Sequence, residues 1–341
     1  MGATRILIVG CGVMGRSIAR AVLGKETLTL VGAVDLDASL IGRDIGELTE
    51  LSRETGVPVT RPEDAEFGRA DCCIVTTGSR LSEVEEQITR CVAAGTNVVS
   101  TCEELAYPWL RNPDIAARLD RLAQEQGVTV VGTGINPGFL MDTLPVVLSA
   151  PCLTVEHVQV TRMMNSARRR IPFQRKVGTG LSPEAFAAKI ASGEISGHVG
   201  LTESMQMIAA GLGWELAEYV EEPPEPVVAG SEVETGLGAV SAGRVVGLTS
   251  VAWAAGPRTA TGAAAGRTER VRLVFSAHAQ VEEEYDEIAI DGTPPVRQRI
   301  HGGVNGDTGT VAVTVNTAYR AVDAPPGLRT MIEVAPPAAV R

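Results

Sequence analysis

Gly10-Cys11-Gly12-Val13-Met14-Gly15 has the spacing G-x-G-x-x-G, preceded by a strand-like run (5–9) and followed by a helical run reaching residue 23. In that setting the first glycine makes a tight turn, the second lets the backbone approach a pyrophosphate, and the third lets helix and strand pack closely. The motif, with Val13 and Met14 inside it, opens that helical run, and the helix N-terminus faces an anion. Asp35 ends the next strand, twenty residues past Gly15, and its carboxylate can accept from both hydroxyls of a ribose. Thr76-Thr77-Gly78-Ser79 follows a later strand; short hydroxyl side chains and a glycine suit a backbone lying against ribose and nicotinamide, and equally an ordinary helix cap.

Two further strand ends carry chemistry. Ser100-Thr101-Cys102-Glu103-Glu104 puts two carboxylates at the carboxyl end of a central strand. Being adjacent, they cannot both enter one crevice: one is expected near the nicotinamide, where a buried Glu can trade protons near neutrality, and the other caps a helix or is solvated. Gly132-Thr133-Gly134-Ile135-Asn136-Pro137-Gly138-Phe139 ends the sixth strand; Asn136 has the donor and acceptor that a carboxamide requires, and Phe139, Leu140 and Met141 offer an apolar wall. Among the four histidines, none has a Cys or carboxylate at metal spacing, so no metal is assigned; His198 is the one expected to face a substrate.

These residues need a frame that gathers strand ends. Over the first 140 residues, apolar runs at 5–9, 28–34, 57–60, 72–76, 97–101 and 128–131 alternate with helical stretches at 17–23, 82–94 and 114–126. In the last, Ile115, Leu119 and Leu122 share one helix face. This alternation predicts a doubly wound parallel α/β sheet covered on both sides. After Pro145 the texture changes: 154–162 alternates with period two, 183–190 and 203–212 read as helices, and 243–252, 270–275 and 285–290 read as strands. Residues 221–226 form an acidic, proline-stiffened loop, 256–266 a mobile surface loop, and 308–319 a helix-compatible run stopped by Pro325-Pro326-Gly327. The second domain is therefore expected to be α+β with a largely antiparallel sheet.

Composition narrows the class. The net charge of −11, with no basic cluster beyond Arg168-Arg169-Arg170 and Arg175-Lys176, excludes a nucleic-acid partner. No apolar run reaches membrane length and no signal peptide precedes the first strand, so a cytoplasmic protein is expected. The six cysteines form no CxxC pair and read as small buried hydrophobes in a reducing compartment. Of the three lysines, Lys176 is the one placed near a site.

Val31-Gly32-Ala33-Val34-Asp35 with the run at 41–48 resembles the dihydrodipicolinate reductase superfamily. The blocks at 100–108 and 132–139, with Gly306-Asp307-Thr308, are similar to the narrower group of 2,4-diaminopentanoate dehydrogenases and native amine dehydrogenases. The chain lacks the His-His segment of true dihydrodipicolinate reductases; its nearest equivalent is Arg175-Lys176-Val177-Gly178-Thr179-Gly180. Where related sugar oxidoreductases place a lysine, this chain has Glu103. The resemblance implies a homodimeric Rossmann-fold enzyme that exchanges an amine for a carbonyl and ammonia, with Glu103 as catalytic residue and Glu104 as runner-up. It also implies a Rossmann domain at 1–146 completed by 305–341, and a substrate domain at 147–304. NAD is the expected cofactor, with NADP use allowed if Arg43 relieves the charge of Asp35. A carboxylate-bearing substrate would need a cationic clamp, for which Arg162, Arg168 to Arg170, Arg175 and Lys176 are candidates. The alternatives are a cyclic-imine reductase or alcohol dehydrogenase of the same fold, and a dinucleotide-sensing binding protein.

Overall fold

The structure is a computed structural model describing residues 2–49, 51, 54–257 and 268–339. The expected loop at 256–266 lies, from residue 258 onward, outside the described residues. The chain divides into two units, Met1–Phe139 with Asn305–Arg341, and Leu140–Val304. The junction is at 139/140 and not at the expected 146/147, because Met141, Leu144 and Leu148 pack into the core of the second unit.

The first unit runs β1 (Thr4–Val9), α1 (Val13–Leu23), β2 (Leu28–Val34), α2 (Ile45–Leu48), β3 (Val59–Thr60), β4 (Cys72–Val75), α3 (Leu81–Ala93), β5 (Asn97–Ser100), α4 (Pro113–Gln126) and β6 (Thr129–Gly132). The second runs α5 (Thr143–Leu148), β7 (Thr154–Asn165), α6 (Ile171–Lys176), α7 (Pro183–Ala191), α8 (Leu201–Leu212), β8 (Glu218–Glu221), β9 (Glu225–Val228), β10 (Val233–Thr235), β11 (Gly238–Val240), β12 (Val245–Ala255), β13 (Glu269–His278), β14 (Tyr285–Thr293) and β15 (Val296–His301). The chain then returns to the first unit as α9 (Gly306–Ala321) and β16 (Gly327–Arg329).

In the first unit the strands form one parallel sheet in the order β16-β6-β5-β4-β1-β2-β3. The order reverses beside β1, so the crevice for a ligand opens at the carboxyl ends of β1 and β4. Both faces are covered: Ile6, Ile8, Cys72, Cys73, Ile74 and Val75 are fully buried. Helix α1 starts at Val13, four residues before the expected start, because the glycine turn leads straight into it through Gly12. The buried stripe of α4 is Ala116, Leu119 and Ala123, with Ile115 and Leu122 on its flanks. Its alanines let the helix lie close to the sheet.

The prolines at 325–326 do not end α9, which stops at Ala321; Gly327 instead opens β16, a strand not expected from the sequence. Its backbone at Leu328 donates to Asp120 on α4 (2.9 Å), and it pairs with β6. Three residues are too few to show an alternating pattern.

The second unit is built on the sheet β15-β14-β7-β13-β12-β8, with β9 also on β12; β7 and β13 run parallel and the other pairings are antiparallel. The acidic loop expected at 221–226 shrinks to 222–224, since its ends pair with β12 as β8 and β9. Alternation along β7 puts Val158, Val160, Arg162 and Met164 on the covered face and leaves the opposite face half-exposed. Five cysteines are buried; Cys152 is not, and donates to the Pro294 carbonyl at 3.1 Å. Burial pushes the thiols of Cys11 and Cys102 up to about 12, so neither is an available thiolate. No helix among the described residues is long and apolar enough to cross a membrane.

Candidate active site

The glycine turn is locked from two sides. Gly10 has φ +95°, and a Cβ there would lie 2.7 Å from the Thr77 methyl and 2.9 Å from the Thr76 hydroxyl. That hydroxyl donates to the Gly10 carbonyl at 2.9 Å. A Cβ at Gly15 would sit 1.7 Å from the same carbonyl, so the backbone of the turn would have to shift to admit one. At Gly12, by contrast, a Cβ would meet nothing within 4 Å. Packing therefore requires Gly10 and Gly15, while Gly12 faces open space at the N-terminus of α1. A dinucleotide pyrophosphate fits such a cradle.

Asp35 is positioned by backbone: Cys11 N–H donates to one carboxylate oxygen at 2.5 Å and Asp37 N–H to the other at 2.9 Å. Beside it lies a cleft of about 340 Å³ lined by Gly10, Asp35, Leu36, Pro62, Phe67, Thr77, Gln87 and Arg90. The Thr77 hydroxyl donates to the Gln87 side chain at its edge. Arg43, the expected counter-charge, does not line this cleft and stands 3.8 Å from Glu47. Arg90 lines it instead, held by Glu86 at 2.5 Å. No periodic signal marks Arg90 as a cleft residue, since it lies on the outer side of α3.

The two glutamates separate. Glu104 accepts from Leu81 N–H at 2.8 Å, at the start of α3, and from the Asn112 amide at 3.1 Å. It ties α3 to the segment before α4. Glu103 begins a short 3-10 turn, Glu103–Ala106, and is half-buried. This turn lies so close to β6 that a Cβ at Gly132 would be 2.4 Å from the Leu105 backbone. Glu103 is thereby fixed at the carboxyl end of β5, and Thr76 stands at that of β4.

Asn136 follows β6 and is half-buried; Gly78 is held close against Glu83 and Val84. The loop from Thr133 to Gly138 folds on itself, with Gly138 at φ +121° and only 2.5 Å from a would-be Cβ to Gly134 N. Thr310 of α9 accepts from Ile135 N–H at 3.3 Å, a contact spanning 175 positions of sequence that local patterning does not show. The Thr133 hydroxyl is buried here with no hydrogen-bond partner, as expected of a site whose ligand supplies one. Phe139 keeps open surface, but Leu140 is 2% exposed and Met141 0%. Met141 packs with Val158, Val160 and Leu201, so it is a core residue and not part of an open wall.

In the second unit Lys176 lies exposed at the end of α6. His198 stacks on Phe275 with ring centroids 4.3 Å apart, and its backbone N–H donates to the Ser250 hydroxyl. Of the candidate cations, Arg168 pairs with Glu284 at 2.9 Å and Arg169 lies over the Phe173 ring, while Arg170 and Arg175 are exposed. Arg162 alone among them is fully enclosed, 2% exposed, with Asp286 beside it. Burial lowers the Arg162 pKa and raises that of Asp286. Asp286 was missed from the sequence, although its place shares a face with Ile288 and Ile290. Among the described residues no group of three or more His, Cys, Asp or Glu is placed to hold a metal.

Residues 139–341 match the model of the 2,4-diaminopentanoate dehydrogenase C-terminal domain, and 4–103 that of the dihydrodipicolinate reductase N-terminus. The chain belongs to the 2,4-diaminopentanoate dehydrogenase family. It is 31% identical to the 2,4-diaminopentanoate dehydrogenase of Acetoanaerobium sticklandii, over 100% of this chain and 96% of that protein. It is 32% identical to an amine dehydrogenase of Streptomyces virginiae over 45% of this chain and 44% of that one. Its fold matches a solved amine dehydrogenase from Mycobacterium smegmatis with a TM-score of 0.79 and 23% identity, covering 98% of this chain and 97% of the other. The first unit is thus a Rossmann-type dinucleotide-binding domain, and the protein is an oxidoreductase of a family with amine-acting members.

Proposed function

We propose that the protein is an NAD(P)-dependent amine dehydrogenase, interconverting an amine with a ketone or aldehyde and ammonia. The observation that carries this reading is where the glutamates stand: Glu104 accepts from the α3 start, while Glu103, half-buried, opens the 3-10 turn at the carboxyl end of β5, beside the strand ends that border the dinucleotide turn. When bound, the dinucleotide supplies the hydride exchange. The chain's own residues hold it and move protons. Gly10, Gly12, Val13, Met14 and Gly15 form the pyrophosphate turn, Asp35 takes the ribose hydroxyls, and Thr76, Thr77, Gly78 and Asn136 border the nicotinamide end. Glu103 takes a proton from ammonia as it adds to the carbonyl, or from water in the opposite direction.

NAD is the preferred cofactor. A 2′-phosphate about 4 Å from Asp35 would meet a repulsion of about 4 kcal/mol at an effective dielectric near 20. Arg90, released from Glu86, is the cation that would relieve it. A tenfold preference for NADPH in kcat/KM would overturn this assignment. The enzyme is further read as cytoplasmic, where its thiols stay reduced, and as a homodimer. The half-exposed sheet face carrying Thr161, Met163, Val251, Trp253 and Val274 supports dimerisation, and light scattering on the purified protein tests it. The function itself is tested by a panel of ketones with ammonia and NADH or NADPH, run beside oxidation of diamino acids. Ketone reduction that does not require ammonia would replace the reading with an alcohol dehydrogenase.

A further inference from the structure

Among the described residues, three charged ones line the cleft of about 340 Å³ in the first unit: Asp35, Glu86 and Arg90. Asp35 stands at the carboxyl end of β2, and the other two come from α3. Leu36, Pro62 and Phe67 add apolar wall. The Thr77 hydroxyl, just past β4, donates to the Gln87 side chain and pins this turn of α3 to the cleft.

Arg90 is already engaged there. Its Nη2 donates to Glu86 Oε1 at 2.5 Å, one helical turn back. The neighbouring Glu85 is turned to a different partner: it accepts from Arg118 of α4 at 2.6 and 2.9 Å and does not line the cleft. Glu86 is therefore the carboxylate that holds the guanidinium of the cleft. With Asp35 and Glu86 against Arg90, the lining carries a net single negative charge. A ribose with free hydroxyls is neutral and is little affected by that balance. A 2′-phosphate brings close to two negative charges at neutral pH. The guanidinium that could match it with paired N–H donors is occupied. The pair is open to solvent, with the Glu86 side chain 77% and that of Arg90 47% exposed, so its hold is weak and its effect moderate.

We propose that Glu86 is a specificity-determining residue for the cofactor. By keeping Arg90 paired, it withholds the cation that a 2′-phosphate requires, and so sets the preference for NAD together with Asp35. This rests on the reading of the first unit as an NAD-preferring dinucleotide site. Selection against NADP is then written on α3 as well as at the end of β2.

The test titrates NADH and NADPH, followed by nucleotide fluorescence, into wild type, Glu86→Gln, Arg90→Gln and the double variant. Glu85→Gln serves as the control for a neighbouring charge outside the cleft. The quantity read is the Kd for NADPH divided by the Kd for NADH. Glu86→Gln should lower this ratio at least threefold, Arg90→Gln should not lower it, and Glu85→Gln should leave it unchanged. In the Arg90→Gln background, removing Glu86 should lower the ratio less than twofold, because no guanidinium is left to free. Glu86 and Arg90 are exposed on one helix, and Gln is a good helix former, so the variants should fold. An unchanged ratio in Glu86→Gln overturns the proposal. So does an equal fall with and without Arg90, which would make Glu86 a background charge only, and so does a wild type that binds NADPH more tightly than NADH. The titration reads dinucleotide binding alone, which separates it from the amine dehydrogenase reading. Ratios that shift as stated, without turnover of any amine or ketone, keep the Glu86 assignment and sink that reading. Ketone turnover with ammonia, in an enzyme whose ratio ignores Glu86, does the reverse.

Discussion

At the scale of single residues, the neighbouring glutamates are held differently, Glu104 by the α3 start and Glu103 in the turn after β5. Glu103→Gln is nearly isosteric and should retain the fold, yet kcat should drop at least about 100-fold, the low end for a general acid or base. Its dinucleotide affinity, read by fluorescence titration, should stay within a few-fold. Glu104→Ala should instead lower stability by about 1–2 kcal/mol, because Leu81 N–H loses its acceptor; thermal unfolding measures this. Normal turnover in Glu103→Gln would remove carboxylate catalysis at this strand end. The glycines divide in the same way. Gly12→Ala should fold normally and lose dinucleotide binding, since its Cβ enters open space where the pyrophosphate approaches. Gly15→Ala should unfold at markedly lower temperature even without cofactor, since its Cβ meets the Gly10 carbonyl at 1.7 Å. Equal thermal shifts in the two apo variants would contradict this division.

At the scale of elements, α9 and β16 complete the first unit from the far end of the chain. Thr310 fastens the 133–138 loop to α9. Thr310→Val removes that acceptor while keeping its shape; the expected result is a several-fold lower kcat with a larger primary deuterium isotope effect, as the nicotinamide end is held less firmly, and recovery in Thr310→Ser. Unchanged kinetics with lowered stability alone would make the contact structural. Most strands and helices of the first unit were legible because their apolar periods are long and bounded by glycine or proline. Arg162 was legible in part, as one of several candidate cations, while Asp286 was missed although it occupies an inward position of an alternating strand. β16, the shortness of the 222–224 loop and the core role of Met141 were not, because each depends on what a distant segment places beside it.

At the scale of the whole molecule, stability should depend on acid through a few well-matched carboxylates. The Arg5 side chain hydrogen-bonds Asp71 and holds its carboxyl below the usual range. At Asp44 desolvation pushes upward, but bonds from Thr55, Gly46 and Gly56 outweigh it and leave the carboxyl low as well. A depressed folded pKa means that the unfolded chain binds the proton first. The stabilisation is therefore complete above about pH 4, the unfolded value, and lost as pH falls through the folded values. Denaturant midpoints for wild type should be flat in these groups above that pH and fall below it. Asp44→Asn should start lower at neutral pH and fall less steeply on acidification; a parallel profile would show that Asp44 does not contribute to the acid response.

The sequence by itself determined the Rossmann frame, the glycine turn with Asp35 and the paired glutamates. These are written in local spacing: a turn, a helix start and a strand end need only their immediate neighbours. The tertiary structure decided which glutamate is a cap, which cation is enclosed, which wall residue is core and where the two units divide. Those outcomes depend on contacts between strands and helices tens to hundreds of positions apart. A side chain's partner, and hence its availability for chemistry, exists only once those elements have packed.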